Sequence, residues 1–206
     1  MTEKPIAPHT RRNSEPILEV LRHEFRRANS VLEIGSGTGQ HAVAFAAELG
    51  HLVWQTSDLE QNHAGIRAWL ADASLPNLRE PLSLDVRTAT LGGKVYDAAF
   101  SANTAHIMSI AAVKKMFALV AGALQSGGVF CLYGPFRQDG EFNTSSNAEF
   151  HESLRSQDSA MGIRHLEELD EFATTGRMRR ERLYAMPANN LIAVWQKSGE
   201  SHHDNA

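Results

Sequence analysis

The stretch Val31-Leu-Glu-Ile-Gly-Ser-Gly-Thr-Gly-Gln40 decides the fold. An apolar run over 31–34 ends in glycines at 35, 37 and 39, and the apolar-periodic stretch HAVAFAAELG (41–50) follows, stopping at Gly50. A short strand, a glycine turn and a helix in that order open a parallel α/β sheet. Outward from it, LVWQTSD (52–58) reads as a second strand, HAGIRAWLADA (63–73) as a helix, PLSLDV (81–86) as a third strand and YDAAFSAN (96–103) as a fourth. Ser109 is placed to cap a helix through Leu124, because Ile110, Val113, Phe117, Val120 and Leu124 recur on one face. Gly127-Gly128 is expected to end that helix and launch VFCLYGPF (129–136) as the central fifth strand. A polar segment (137–158) reads as a loop running into a short helix, and a further helix (165–175) follows. RRERLYAM (179–186) and LIAVWQK (191–197), joined by the turn MPANN, read as a closing hairpin. The expectation is a doubly wound, mostly parallel, seven-stranded α/β sheet of Rossmann-like type with an antiparallel final strand. Before it, Ser14 is placed to cap a helix carrying Ile17, Leu18, Leu21 and Phe25, expected to lie across the carboxyl edge of the sheet as a lid.

The 206 residues, 42% hydrophobic and 21% charged, suit a single domain. Within it the pattern divides into a cap helix (1–30), a binding core (31–136), a lid and helix (137–178), the closing hairpin (179–197) and a tail (198–206). No apolar run approaches the roughly 18 residues that span a bilayer, and the start lacks the apolar core of a secretory signal. A cytoplasmic address is the default expectation. Cys131 is the sole cysteine, so no internal disulfide forms, and no CxxC or HExxH spacing is present to hold a metal. A net charge of −4 gives no field to attract nucleic acid. The run Arg177, Arg179, Arg180, Arg182 is broken by Met178 and Glu181 and reads as a solvated strand edge.

At the glycine turn, positive φ is tolerated and a ligand can lie against bare backbone, while the following helix offers unpaired N–H groups. A G-x-G-x-x-G dinucleotide fingerprint needs glycine where Gln40 stands, and the Gly-Lys-Ser/Thr ending of a phosphate loop is missing. Glu33 beside the turn would repel a diphosphate but suits a ligand with an ammonium group. S-adenosylmethionine (SAM) carries an ammonium and a sulfonium. Asp58 ends the second strand and Asp85 the third as read, so both belong to one crevice at the strand ends. Asp58 could accept from both ribose hydroxyls, each charge-assisted bond contributing ~1.5 to 3 kcal/mol, and Asp85 from the adenine amino group. Leu59 and Val86 would flank the ring. The candidate cofactor residues are therefore Glu33, Gly35, Gly37, Gly39, Asp58, Leu59, Asp85 and Val86, with Asn13 reaching in from the cap and Asn103 orienting the methionine end.

With these residues set out, the chain resembles the class I SAM-dependent methyltransferases over nearly all of 31–197. Leu124-Gln-Ser-Gly-Gly-Val129 looks like their turn into strand five, and the closing hairpin like their strands six and seven. More narrowly, Arg12-Asn-Ser-Glu-Pro-Ile-Leu18, Ser57-Asp58, Tyr133-Gly-Pro-Phe136, Ser146-Asn147, Gly162-Ile-Arg164 and Met186-Pro-Ala-Asn-Asn190 look like the sparsely characterised methyltransferase-like family, domain of unknown function 938. His151 stands where that resemblance leads one to expect Asp. The resemblance implies the fold and the cofactor but not the acceptor.

Methyl transfer is an in-line displacement, so holding the partners in geometry can supply roughly 7 to 11 kcal/mol without a protein nucleophile. A general base adds roughly 10²- to 10⁴-fold for a protonated acceptor. His106, after the fourth strand, is the candidate base, and Tyr133, ending the fifth, a second catalytic candidate; each also has a bland reading, as a loop-bonding histidine and a wall residue. Asn143, Asn147, Asn189 and Asn190 could form a polar rim, the last two more simply explained as turn residues. Ser101-Ala-Asn-Thr is not the N-P-P-Y that goes with transfer to adenine or glutamine nitrogens. The expected acceptor is a small molecule. The alternatives are a non-catalytic SAM-binding sensor or partner subunit and, less favoured because of Gln40, an NAD-dependent oxidoreductase.

Overall fold

A computed structural model describes residues 4–199. Ten strands and six α-helices follow in the order α1 (Pro8–Glu24), β1 (Ser30–Ile34), α2 (Gln40–Glu48), β2 (Val53–Asp58), α3 (His63–Ala73), β3 (Leu78–Ser83), β4 (Tyr96–Ala102), α4 (Ile110–Ala123), β5 (Leu124–Gly134), β6 (Phe136–Gln138), β7 (Glu141–Phe142), α5 (Ser145–Gln157), β8 (Arg164–His165), α6 (Leu166–Thr175), β9 (Met178–Met186) and β10 (Asn190–Lys197). Seven strands form the main sheet in the order β3-β2-β1-β4-β5-β10-β9, and β7-β6-β8 form a small second sheet. Pairing is parallel from β3 to β5, while β10 runs antiparallel to both its neighbours.

Period-two alternation sends successive strand residues to opposite faces. Val31, Phe100, Cys131 and Val194 meet Ile17, Leu21, Phe25, Phe45 and Ile66 on the face covered by α1, α2 and α3. Leu32, Ala99, Phe130 and Trp195 meet Val113, Phe117, Val120 and Leu169 on the face covered by α4 and α6. Cys131 is fully enclosed, and burial pushes its thiol well above the ordinary range.

Four sequence expectations are corrected. Ser14 caps nothing: α1 begins at Pro8 behind Ala7 and runs through Pro16, and the Ser14 hydroxyl donates back to the Thr10 carbonyl at 2.6 Å. Nor does α1 lie across the sheet edge; its buried stripe is part of the core, and only its first turns reach the carboxyl edge. The third strand spans Leu78–Ser83 rather than 81–86, because it is the sheet's edge, where Pro81 needs no partner for its missing N–H. Gly127-Gly128 do not terminate α4, which stops at Ala123; they sit in an irregularity of β5, where a Cβ on Gly128 would lie 2.9 Å from the Gln125 carbonyl oxygen. Ser109 does cap α4, accepting from the Ala112 N–H. The segment 137–158 is more ordered than read, forming the β6–β7 hairpin and the 13-residue α5. No described helix is long and apolar enough to cross a membrane.

Candidate functional site

The glycine turn stands at the carboxyl ends of β1, β2 and β4. Gly35, Gly37 and Gly39 all take positive φ, and a Cβ on Gly35 would strike the Thr104 methyl at 2.7 Å. Gly37 differs: nothing lies within 4 Å of where its Cβ would stand, so this part of the turn is open. Behind the turn, Ser36 donates to Glu33 at 2.7 Å and Trp54 Nε1 donates to the same carboxylate oxygen at 3.1 Å. Glu33 is 2% exposed. Desolvation, reinforced by the charge of Asp58, raises its pKa to about 7 against the two hydrogen bonds that lower it.

Asp58 pins the turn from the end of β2. Its carboxylate accepts from the Gly37 N–H at 2.6 Å, from its neighbour Leu59 N–H at 2.7 Å and from Asn62 Nδ2 at 2.8 Å. An ionised carboxylate has about four acceptor positions, so capacity for a further donor remains. Leu59 is partly exposed beside it. Asp85 is placed differently from its sequence reading: it lies two residues beyond β3, and the Arg87 guanidinium and N–H occupy both its oxygens at 2.6 to 3.0 Å. Those hydrogen bonds hold its carboxyl down to about 2. Val86 packs against the core cluster under α4. Of the candidate cofactor residues, Asn13, Gly35, Gly37 and Asn103 line the cavity described next, whereas Glu33, Gly39, Asp58 and Leu59 stand behind or beside the turn and, like Asp85 and Val86, do not.

A cavity of about 740 Å³ starts at Gly35, Ser36, Gly37 and Thr38 and continues past Ala102 and Asn103. At its far end stand His106, Tyr133, Asn147, Phe150 and Asn190, and the first turns of α1 close one side with Thr10, Arg12 and Asn13. Asn103 holds a left-handed φ of 58°, which asparagine tolerates better than most residues, and its N–H donates to the Tyr133 carbonyl. His106 is 7% exposed and edge-on to Phe150, with ring centroids 5.5 Å apart. Burial, and then the charge of Arg164, lowers its pKa to about 4, so the ring is neutral at neutral pH. Burial raises the Tyr133 pKa despite the opposing approach of Asn13 and Asn190, so the phenol keeps its proton. Asn190 therefore serves both as a turn residue, bonding the Pro187 and Ala188 carbonyls, and as cavity wall. Asn143 and Asn147 both donate to the Asn189 carbonyl at 3.1 Å, tying α5 to the β9–β10 turn.

Sequence reasoning missed His41. It opens α2, stacks on Phe45 at 5.1 Å and places Nε2 3.0 Å from Asn13 Oδ1, with burial lowering its pKa to about 4. The available signal was its place two residues after Gly39, in the helix turn that follows the glycines. Gln40 also has a role the sequence did not reveal: its side-chain oxygen accepts from the Ala7 N–H at 2.6 Å, docking the segment that precedes α1. The arginine run is largely consumed by carboxylates, Arg180 on Asp170 and Arg182 on buried Glu24. His202 and His203 lie outside the described residues.

The sequence profile of a family described as a protein of unknown function, DUF938, matches residues 4–197. The chain belongs to the DUF938 family. Its fold is that of the class I methyltransferases. An O-methyltransferase family protein from Burkholderia thailandensis superposes on this DUF938 chain with a TM-score of 0.79 at 15% identity, covering 91% of this chain and 57% of that one. Mitomycin 7-O-methyltransferase MmcR gives 0.77 at 15% identity over 90% and 54% of the two chains. PigF with SAH gives 0.75 at 16% identity over 89% and 55%. The DUF938 chain thus spans a little over half the length of these structures.

Proposed function

We propose that this protein is a SAM-dependent methyltransferase acting on a small-molecule acceptor. The observation that supports the reading is the continuity of one cavity, which has the open glycine turn at one end and His106, Tyr133, Asn147 and Phe150 at the other. A sensor needs only the first end. The volume of about 740 Å³ falls within the range of small-molecule sites, roughly 300 to 1,000 Å³.

The residues present suit the cofactor. Gly37 leaves bare backbone open, Asp58 keeps acceptor capacity for hydroxyl donors, and the Glu33 carboxylate acts on the cavity through Ser36. Gly35, Gly37, Gly39, Asp58 and Leu59 would hold the nucleoside, Asn103 and Asn13 the methionine end. When bound, SAM supplies a methyl group activated on sulfonium. The chain's own contribution is chiefly positional, the class of effect that reaches roughly 7 to 11 kcal/mol. Phe150 adds an apolar wall at the far end, and Tyr133 retains a proton with which to donate to the acceptor. His106 is neutral and open to take a proton, but its low basicity suits acceptors that release one readily.

The test is calorimetric titration with SAM and, separately, NADH, followed by incubation of the protein with a metabolite extract and methyl-labelled SAM, with mass identification of the labelled product. SAM binding without NADH binding, and label on a small molecule, is the expected result. Absence of SAM binding overturns the reading, and binding with no label transfer replaces it with the sensor.

A further inference from the structure

The loop that carries His106 is held by a side chain from a distant part of the sequence. Arg164 Nε donates to the Ala105 carbonyl at 3.0 Å, and its Nη2 donates to the Met108 carbonyl and, at 2.7 Å, to that of Ala160. The side chain is buried, and these partners are carbonyl dipoles rather than a carboxylate. Enclosing a guanidinium this way is costly unless its donors are well placed. Two residues earlier, the Gly162 N–H donates to the His106 carbonyl at 2.9 Å. Between them, the Ile163 N–H donates to His151 Nδ1 of α5 at 3.1 Å. Gly162 has a φ of 146°, and a Cβ there would fall 2.9 Å from the His151 ring, so only glycine permits this approach. The tripeptide Gly162-Ile163-Arg164 thus joins the loop after β4 to the helix that brings Asn147 and Phe150 to the cavity.

We propose that Arg164 is a positioning residue: with Gly162 it clamps the 105–108 loop so that the His106 imidazole stands edge-on to Phe150, and it binds both walls of the acceptor chamber into one body. The proposal rests on the reading of that chamber as the acceptor site. It also assigns His151 the role of the clamp's anchor on α5. The charged groups acting on Arg164 are Glu168 and Arg155, and His151 feels Glu152, Arg137, Arg155 and Arg164.

The test follows His106 by nuclear magnetic resonance in the full-length chain, as the titration midpoint of its ring signals and as the cross-relaxation between the His106 and Phe150 rings. In Arg164→Gln the midpoint is expected to rise from near 4, burial remaining the larger cause of its low value, with loss of the ring-to-ring signal. Arg164→Lys retains the charge but cannot fork across three carbonyls, so it should keep a low midpoint while weakening the ring-to-ring signal. His151→Ala should weaken that signal less, and Arg180→Gln, which breaks the remote Asp170 pair, should change neither reading. An unchanged His106 in folded Arg164→Gln, or the same change in Arg180→Gln, overturns the clamp. Should Arg164→Gln not fold, Arg164→Lys and His151→Ala decide, and an unaltered ring-to-ring signal in both refutes it. Failure of the wild-type protein to bind SAM would sink the methyl-transfer reading and leave the clamp standing.

Discussion

Glu33 ties proton uptake to both stability and ligand choice. Its pKa is raised by burial from 4.5 to about 7 in the folded protein, so its contribution to stability is fully present below about pH 4.5 and is lost as pH rises through 7. A cationic ligand has the opposite demand, because it prefers the ionised carboxylate. SAM affinity is therefore expected to grow by up to about tenfold per unit between pH 5.5 and 7 and to level off above, with Glu33→Gln giving weak, pH-independent binding. Calorimetry at pH 5.5, 6.5 and 8 checks this, and identical slopes for both proteins would remove the ammonium role. Asp58→Asn should weaken SAM by roughly 10- to 150-fold, the equivalent of one charge-assisted hydrogen bond, and should also loosen the Gly37 turn. The meeting of Glu33, the glycines and Asp58 at one turn was legible because strand, turn and helix adjoin in sequence. Asp85 was misplaced because a proline obscured the register of an edge strand, and His41 was passed over because its partner Asn13 comes from an element whose docking the sequence does not encode locally.

Among the elements, α1 shows how a helix with an internal proline can still belong to the core. Reading Ser14-Glu-Pro16 as a helix start follows the usual capping rule, but burial of Ile17, Leu21 and Phe25 against β1, β5 and β10 outweighs the hydrogen bond that Pro16 cannot make. A detachable lid would tolerate truncation; this helix should not. Leu21→Ala is expected to cost about 2 to 5 kcal/mol in urea unfolding, and a loss below 1 kcal/mol would show that α1 is peripheral. Ser109→Ala should cost about 1 kcal/mol through its lost cap, leaving SAM affinity unchanged by calorimetry. The β4 and α3 boundaries were readable almost to the residue, since apolar periodicity and local end signals agree there. The β5 start was not, because two glycines that ordinarily stop a helix serve other ends here, Gly127 by taking a positive φ and Gly128 by passing the Asp97 and Gln125 carbonyls.

For the molecule as a whole, the mostly parallel character of the sheet followed from alternation of strands and helices, whereas the size and lining of the cavity depended on long-range contacts between α1, α5 and the β9–β10 turn. A ligand held by the native state alone should stabilise it by about 2.7 kcal/mol at one hundred times its dissociation constant, which a denaturant midpoint in saturating SAM will reveal. The sole thiol offers an independent gauge of the same coupling. Cys131 sits on β5, an interior strand, with no solvent contact, so an alkylating reagent can reach it only when the sheet itself parts. Its modification rate, read by mass spectrometry, becomes an intrinsic clock for global opening, and a ligand gripping the far edge of the same sheet should slow that clock by the factor with which it protects the native state.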